Sequence, residues 1–595
     1  MTSDGSVFDL QSGTVEMNLT GTSKVVKTTA GLVTVTGVSS HTGDTLISEG
    51  VLRFTSANGF STSSMLELNG GILEGNGSFS RTIGMGAGQF IMTGGTSGFS
   101  AYGGTLTVSL GTASWGTFVQ PFCLVLNAAT ADGLLNWATN LNLNGAVRTV
   151  NVQATTARLS GVVADGSGAG GLTKTGTGTL EFDSVNTYTG VTNINAGVLK
   201  FNVNQSLSGA LQFGSANNIT TSGKLDLSAA SAQFSSMVVQ TNSDANTNEL
   251  MIGAGQKLVI NGAVAIGSNA AAATTTLFKA SGDGEFEVNN TASGSLFQVG
   301  GVNTGSGQAN RAVADFGDLA KMTVTLNSTN GVFRVNPSNS NNVSNRWSTL
   351  TLAKETEITA ATLAVGDGGV HSGLAGQVNT VILGSVKNEF YVNAINIGTG
   401  NRDMGAIRFD AADTTGTLRV RGTTGDTSRA AFSMASAGGG TGAGGDGNLF
   451  DVRGHSVDLL FGTTIIGTQN RLNAYTNYFA FDTGRLQMTS LTLSGRTGGS
   501  TTTGASQSRN VTSTMDIGGG VVIIDNGILS LASVAGSYDA SLNPAPVVTG
   551  IVNISGGEVT VGQTSNNSVV MGATQQRVPG TLRSLWLTST SRAGR

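Results

Sequence analysis

An internal repeat constrains this chain more than any other feature. The stretch from Lys27 to Phe54 aligns onto Lys174 to Phe201 without a gap. Gly31 falls on Gly178, Val33 on Leu180, Val35 on Phe182 and Ile47 on Ile194. Gly43 falls on Gly190, and Gly50-Val51-Leu52-Arg53-Phe54 on Gly197-Val198-Leu199-Lys200-Phe201. Repeated units of this size cannot each bury an apolar face alone, so stacked neighbours must share one core.

Within the clearer copy, Lys174 to Phe182 alternates, with Leu180 and Phe182 on one face. Asn186 to Gly190 reads as a turn. Val191, Asn193 and Asn195 then share one face, and Thr192, Ile194 and Ala196 the other. Gly197 interrupts the run before Val198 to Phe201 closes it. Two short strands flanking a glycine-punctuated corner are the expectation.

Composition supports the same class over the whole length. A chain of 595 residues with 88 Gly, 5 Pro and 11% charged residues is poor in helix signals and rich in short alternating runs. This is an all-β signature. Disorder is the rival for a Gly/Ser/Thr-rich sequence, but 38% apolar residues and a net charge of −4 argue against it. The scattered charges offer no nucleic-acid surface. No apolar run reaches the roughly 18 residues of a membrane span. The first residues lack the basic and apolar regions of a signal peptide, so the chain is expected to be a piece of a longer polypeptide or to have an incorrectly assigned start.

Taken in order, residues 1–60 hold the first repeat and 61–145 continue as irregular β structure. Two bulkier patches there, Trp115 to Leu126 and Leu134 to Trp137, read as strands bent around a wider core. Residues 146–203 hold the second repeat, and 204–576 form a divergent continuation. Within it, apolar-Gly pairs recur, among them Ile266-Gly267, Val299-Gly300, Val365-Gly366, Leu383-Gly384, Ile397-Gly398 and Ile466-Gly467. Several are 14 to 18 positions apart, which reads as one turn of a narrow β-coil. At about 20 residues per coil and ~4.8 Å per rung, a rod on the order of 140 Å is expected. Asn217-Asn218, Asn289-Asn290 and Asn339 to Asn342 read as corners, because Asn tolerates positive φ. Ala435 to Asn448 and Gly495 to Ser508 read as loops. Residues 577–595, with four arginines and Trp586, read as an irregular basic tail.

The repeat resembles the autotransporter-associated β-strand repeat, also called the passenger-associated transport repeat. Gly171-Leu172-Thr173-Lys174-Thr175-Gly176-Thr177-Gly178-Thr179-Leu180, Asn186-Thr187-Tyr188-Thr189-Gly190 and Ile194-Asn195-Ala196-Gly197-Val198-Leu199 carry the likeness. The first copy departs at Thr29, opposite Gly176, and at His41, opposite Tyr188. The likeness directly covers roughly a tenth of the chain. It implies an elongated right-handed parallel β-helix in the exported passenger of a larger bacterial surface protein. It implies an extracellular or cell-surface, outer-membrane-associated location, and brings no catalytic residues with it. The translocator barrel that such proteins often carry is not visible in this sequence.

Few residues point to chemistry. Asp283, Glu285 and Glu287 share one strand face if Phe286 and Val288 point inward. They could hold Ca²⁺ or serve a β-helical polysaccharide lyase or glycoside hydrolase; the plainer reading is a solvated face. Asp403, Asp410 and Asp413, and Asp446, Asp451 and Asp458, read as solvated turn residues. His41, His371 and His455 are far apart, and His41 takes the corner of Tyr188, so it reads as structural. With no HExxH or CxxC, no metal site is expected. Cys123, in an apolar run, reads as a buried inert thiol. GxGxxG occurs at Gly166/Gly168/Gly171 and Gly440/Gly442/Gly445, but no helix pattern follows either, which excludes dinucleotide binding. No catalytic residue, cofactor or metal is assigned. The leading expectation is a non-enzymatic structural or adhesive module that contacts surface glycans or other cells. A polysaccharide-active enzyme on the same scaffold is the alternative.

Overall fold

The computed structural model describes residues 2–3, 7–55, 59–116, 119–214, 221–240, 245–267, 275–300, 311–336, 339–343, 347–367, 369–371, 378–399, 404–435, 447–469, 475–497, 511–535, 548–562 and 568–571. The second GxGxxG, Asn217-Asn218, Asp403, Asp446, most of the two low-complexity stretches and the basic tail lie outside them. The chain divides into two compact units. One comprises residues 1–215, 219–237 and 248–258; the other comprises 216–218, 238–247 and 259–595. Both are parallel β-helices. No helix among the described residues is long and apolar enough to cross a membrane.

In the first unit, strands stack in columns. Lys24–Lys27, Thr45–Ile47, Leu66–Asn69 and Phe90–Gly94 form one; Gly13–Val15, Leu32–Val35, Gly50–Phe54 and Gly71–Ser80 form another. Every pair is parallel. Leu32 lies opposite Val51, and Leu172 opposite Thr192, so a coil here takes 19 or 20 residues. Around the bulkier patch the coil widens, with Leu124 opposite Val150. Trp115 and Trp137 are fully buried there. Apolar side chains of successive coils meet in the interior, as where Phe182 stacks on Phe201 at 5.3 Å. Large aromatic area is thereby buried.

The second unit has three strand columns per coil. Glu285–Asn290 is followed in its column by Lys321–Leu326, Glu355–Val365 and Lys387–Ile397. Coils are longer than the sequence predicts. Glu285 pairs with Lys321 and Ala406 with Leu449, separations of 36 and 43 residues. The apolar-Gly spacing of 14 to 18 came from mixing corners. Leu383 ends one column, whereas Val299, Val335, Val365, Ile397, Met434, Ile466, Leu493 and Leu531 are successive register partners in another.

The residue after these partners turns the chain. It has positive φ at Gly300, Gly366, Gly398, Ala435, Gly467, Ser494 and Ala532. Three of these have a side chain and sit at φ +49° to +55°, a conformation that costs about 1 kcal/mol or more outside glycine. Next to this corner runs a buried amide ladder. Asn448 Nδ2 donates to Asn477 Oδ1 at 3.0 Å, and Asn477 Nδ2 to Ser513 Oγ at 3.2 Å. These asparagines lie in strands rather than in turns, Asn448 opening the strand Asn448–Asp451 and Asn477 lying inside Tyr475–Phe481. Asn289 and Asn290 likewise belong to the strand Glu285–Asn290, and Asn339 to Asn342 to the strand Asn339–Val343.

Candidate functional site

The strand Glu285–Asn290 alternates as expected, with Phe286 and Val288 fully buried and Glu285 and Glu287 on the outer face. Register brings basic residues to this face. Lys321 lies opposite Glu285, Glu355 opposite Lys321, and Lys387 opposite Glu355. Lys354 Nζ stands 2.9 Å from Asp283 Oδ1, their side chains 41% and 66% exposed. Asn289 donates to Glu287. Further along, Lys387 pairs with Glu389 at 2.8 Å and Arg419 with Asp426 at 2.8 Å. In the file Glu285, Lys321, Glu355 and Lys387 acids and bases alternate over four rungs, whereas in the neighbouring file Glu357 stands opposite Glu389. Exposed ion pairs of this kind contribute only ~0–1 kcal/mol each. Among the described residues, no group of three or more His, Cys, Asp or Glu is placed to hold a metal ion.

An open cleft of about 310 Å³ lies in the first unit, lined by Asp132, Gly133, Leu134, Thr155, Thr156, Arg158 and Glu181. Its polar groups are committed to one another. Arg158 binds Glu181 Oε2 at 2.8 Å and Asp183 at 3.0 Å, and Lys200 lies 3.5 Å from Glu181 Oε1. Thr155 Oγ1 donates to Gly133 O and accepts from Asn127 Nδ2, and Asp132 Oδ1 accepts from Gly103 N. Burial alone would raise the Glu181 carboxyl, but Arg158 and Lys200 outweigh it and hold the group below its usual range. A carboxylate kept ionised in this way cannot act as the acid of a glycosidase, which needs a raised value.

The loop acids divide. Asp410 caps its own turn through Ala412 N, Asp451 pairs with Arg453, and Asp458 with Arg421. Asp413 departs from its reading as a solvated residue. Its side chain is 9% exposed and its Oδ2 is 3.7 Å from His455 Nε2, while the His455 ring stacks on Phe409. The strand Gly369–His371 ends on His371, whose side chain lies outside the described residues. Cys123 is buried, and burial pushes its thiol up to about 11, which suits an inert thiol. Gly166 and Gly168 form a corner leading into the strand Gly171–Thr175.

The two repeat copies share hydrogen bonds at equivalent positions, and one of these, the buried lysine, is a position that sequence reasoning passed over. Lys174 is completely buried, and its ammonium donates to the carbonyls of Thr175, Gly176 and Ala196 at 2.8 to 3.1 Å. Lys27, its counterpart, is buried and donates to Thr29 O and Glu49 O, the positions of Gly176 and Ala196. Each lysine thus ties the carbonyls of one coil to the next. The signal was in the alignment, since lysine stands at an inward position of both copies. His41 Nε2 contacts Thr45 Oγ1 at 2.8 Å, and Tyr188 Oη contacts Thr192 Oγ1 at 2.7 Å, again equivalent positions.

Burial pushes the Lys174 ammonium down to about 7. Its folded value therefore lies below the unfolded value of about 10.4. Between these limits the unfolded chain binds more protons, so stability at this coil rises with pH. Hydrogen–deuterium exchange, corrected for the intrinsic rate, should show protection across residues 172–201 increasing from pH 7 to pH 10. Lys174→Met should remove that increase; an unchanged pH response in the variant would contradict the assignment.

Comparison with known families agrees with this equivalence. Residues 25–54 and 172–201 each match the family model of the passenger-associated-transport-repeat. No curated protein and no solved structure matches the chain.

Proposed function

We propose that the chain is a non-enzymatic scaffold of passenger type, exposed at or released from a bacterial surface, whose polar outer faces bind glycans or neighbouring cells weakly and many times over. The two passenger-associated-transport-repeat matches support the passenger assignment. The observation that carries the rest is the rung-to-rung alternation of outward charges in the file Glu285, Lys321, Glu355 and Lys387. Such a face presents repeated polar contacts rather than a convergent acid and base. Individually weak contacts gain from multivalent presentation.

The test compares the full chain as a monomer and coated on beads, against a glycan array and cell monolayers. Bead retention at least 100-fold above monomer retention is expected. Absence of retention on every surface would refute the adhesive role. The enzyme reading draws on Lys321 and Lys354 standing beside the Asp283, Glu285 and Glu287 face. It requires cleavage of a polysaccharide by the wild-type chain that is lost in the Asp283→Ala/Glu285→Ala/Glu287→Ala variant. We expect no cleavage by either protein, and a stability difference within ~1 kcal/mol for the Asp283–Lys354 pair, since it is exposed.

A further inference from the structure

We infer that the first repeat copy carries an acid-sensitive latch that the second copy lacks, and that its proton-binding group is His41. The inference is independent of the proposed function. The His41 side chain is completely buried, and its Nδ1 has no hydrogen-bond partner. The direction of the surrounding bonds sets the tautomer. Ser64 Oγ donates to Met65 O at 3.1 Å, so it receives the Thr45 hydroxyl proton at 2.8 Å. Thr45 Oγ1 in turn receives the Nε2 proton of His41. The bare nitrogen is therefore Nδ1.

Protonating Nδ1 would place a donor where no acceptor exists. It would also place a second cation beside Arg81. That guanidinium donates to Ser61 O and Ser64 O and lies 4.6 Å over the Phe60 ring. Ser61, for its part, donates to His41 O at 2.5 Å, so His41 and Arg81 hold the same segment. Burial, with Arg81 adding to it, lowers the proton affinity of the ring. Asp44, the acid nearest along the chain, is committed outward to Lys24 at 3.6 Å. Thr45, Ser61 and Ser64 contribute only neutral groups.

The second copy has the same geometry without the titration. Tyr188 bonds Thr192 as His41 bonds Thr45, and burial raises its phenol, which stays neutral throughout. For His41 the folded value lies below the unfolded 6.5. Stability from this group is complete above about pH 6.5 and is lost as pH falls below it. His41 is the histidine of the first unit; His371 and His455 belong to the second.

The experiment is hydrogen–deuterium exchange of the full chain between pH 6.5 and pH 5, with intrinsic rates divided out. Probes include the Ser39 and Thr45 amides, which donate to Gly59 O and Met65 O. Protection around residues 39–65 should fall about tenfold per pH unit until the ring is protonated in the fold. Protection around residues 186–212 should hold. His41→Tyr, which installs the residue of the second copy, should abolish the fall. Should that variant not fold, His41→Gln keeps a donor to Thr45 without a titrating group and makes the same prediction. An unchanged first copy, an equal fall in both copies, or a fall that persists in the variant that folds would overturn the inference.

Discussion

Replacing Glu74 with alanine is expected to destabilise the first unit by about 3–5 kcal/mol, the range for removing one partner of a buried ion pair. The Glu74 carboxylate is fully buried and accepts from Arg53 Nε at 2.6 Å, Ser100 Oγ at 2.7 Å and Thr130 Oγ1 at 2.5 Å. Arg53 is itself 10% exposed, with its guanidinium 3.4 Å from the centroid of the Tyr102 ring. Without Glu74 the guanidinium stays buried and uncompensated, and two hydroxyls lose their acceptor. Urea unfolding of the full chain, read by circular dichroism together with exchange of peptides from 50–80 and 96–132, measures the effect. Glu74→Gln keeps shape and one acceptor and should lose less. A loss below 1 kcal/mol in the alanine variant would mean that Arg53 reaches water, contrary to the arrangement described.

The second large effect is expected at the corner glycine of the repeat. Gly197 has φ +66°, and a Cβ there would stand 2.4 Å from Gly176 O and 2.6 Å from Gly178 O. The first copy is alike, with Gly50 at φ +69° and a Cβ 2.4 Å from Thr29 O. Both obstacles are backbone, which cannot rotate away as a side chain can. Gly197→Ala should therefore cost about 2–5 kcal/mol, combining left-handed strain with overpacking. Gly255→Ala separates the two causes. That residue has φ +74° but nothing within 4 Å of its Cβ position, so only the ~1–2 kcal/mol conformational part should appear. Equal losses in the two variants would remove close coil-to-coil approach as the reason for glycine at this corner.

Much of the local pattern was legible from residue order. Inward Phe286 and Val288 with outward Glu285 and Glu287 follow from a two-residue period alone. The equivalence of His41 with Tyr188 was likewise visible, because a gapless alignment carries equal coil length with it. Coil length in the second unit was not legible. Its corners accept insertions, so Glu285 meets Lys321 after 36 residues and Lys387 meets Thr417 after 30. Nor did composition mark Ala435, Ser494 and Ala532 as left-handed corners, since none is glycine or asparagine. Asp413 was misread for a related reason. A turn-like sequence says nothing of the His455 ring that packs on it from 42 positions away.

Residue order by itself determined that this chain forms parallel strands, which apolar side chains face inward, and that two stretches adopt one shape. Tertiary structure alone decided which charges meet, which lysines and carboxylates lose water, and where the polar cleft opens. Alternation is a property of neighbouring residues, whereas a partner one rung away is set by how many residues are wound between. Residues added at a corner change the sequence separation of the two partners while leaving every local pattern intact.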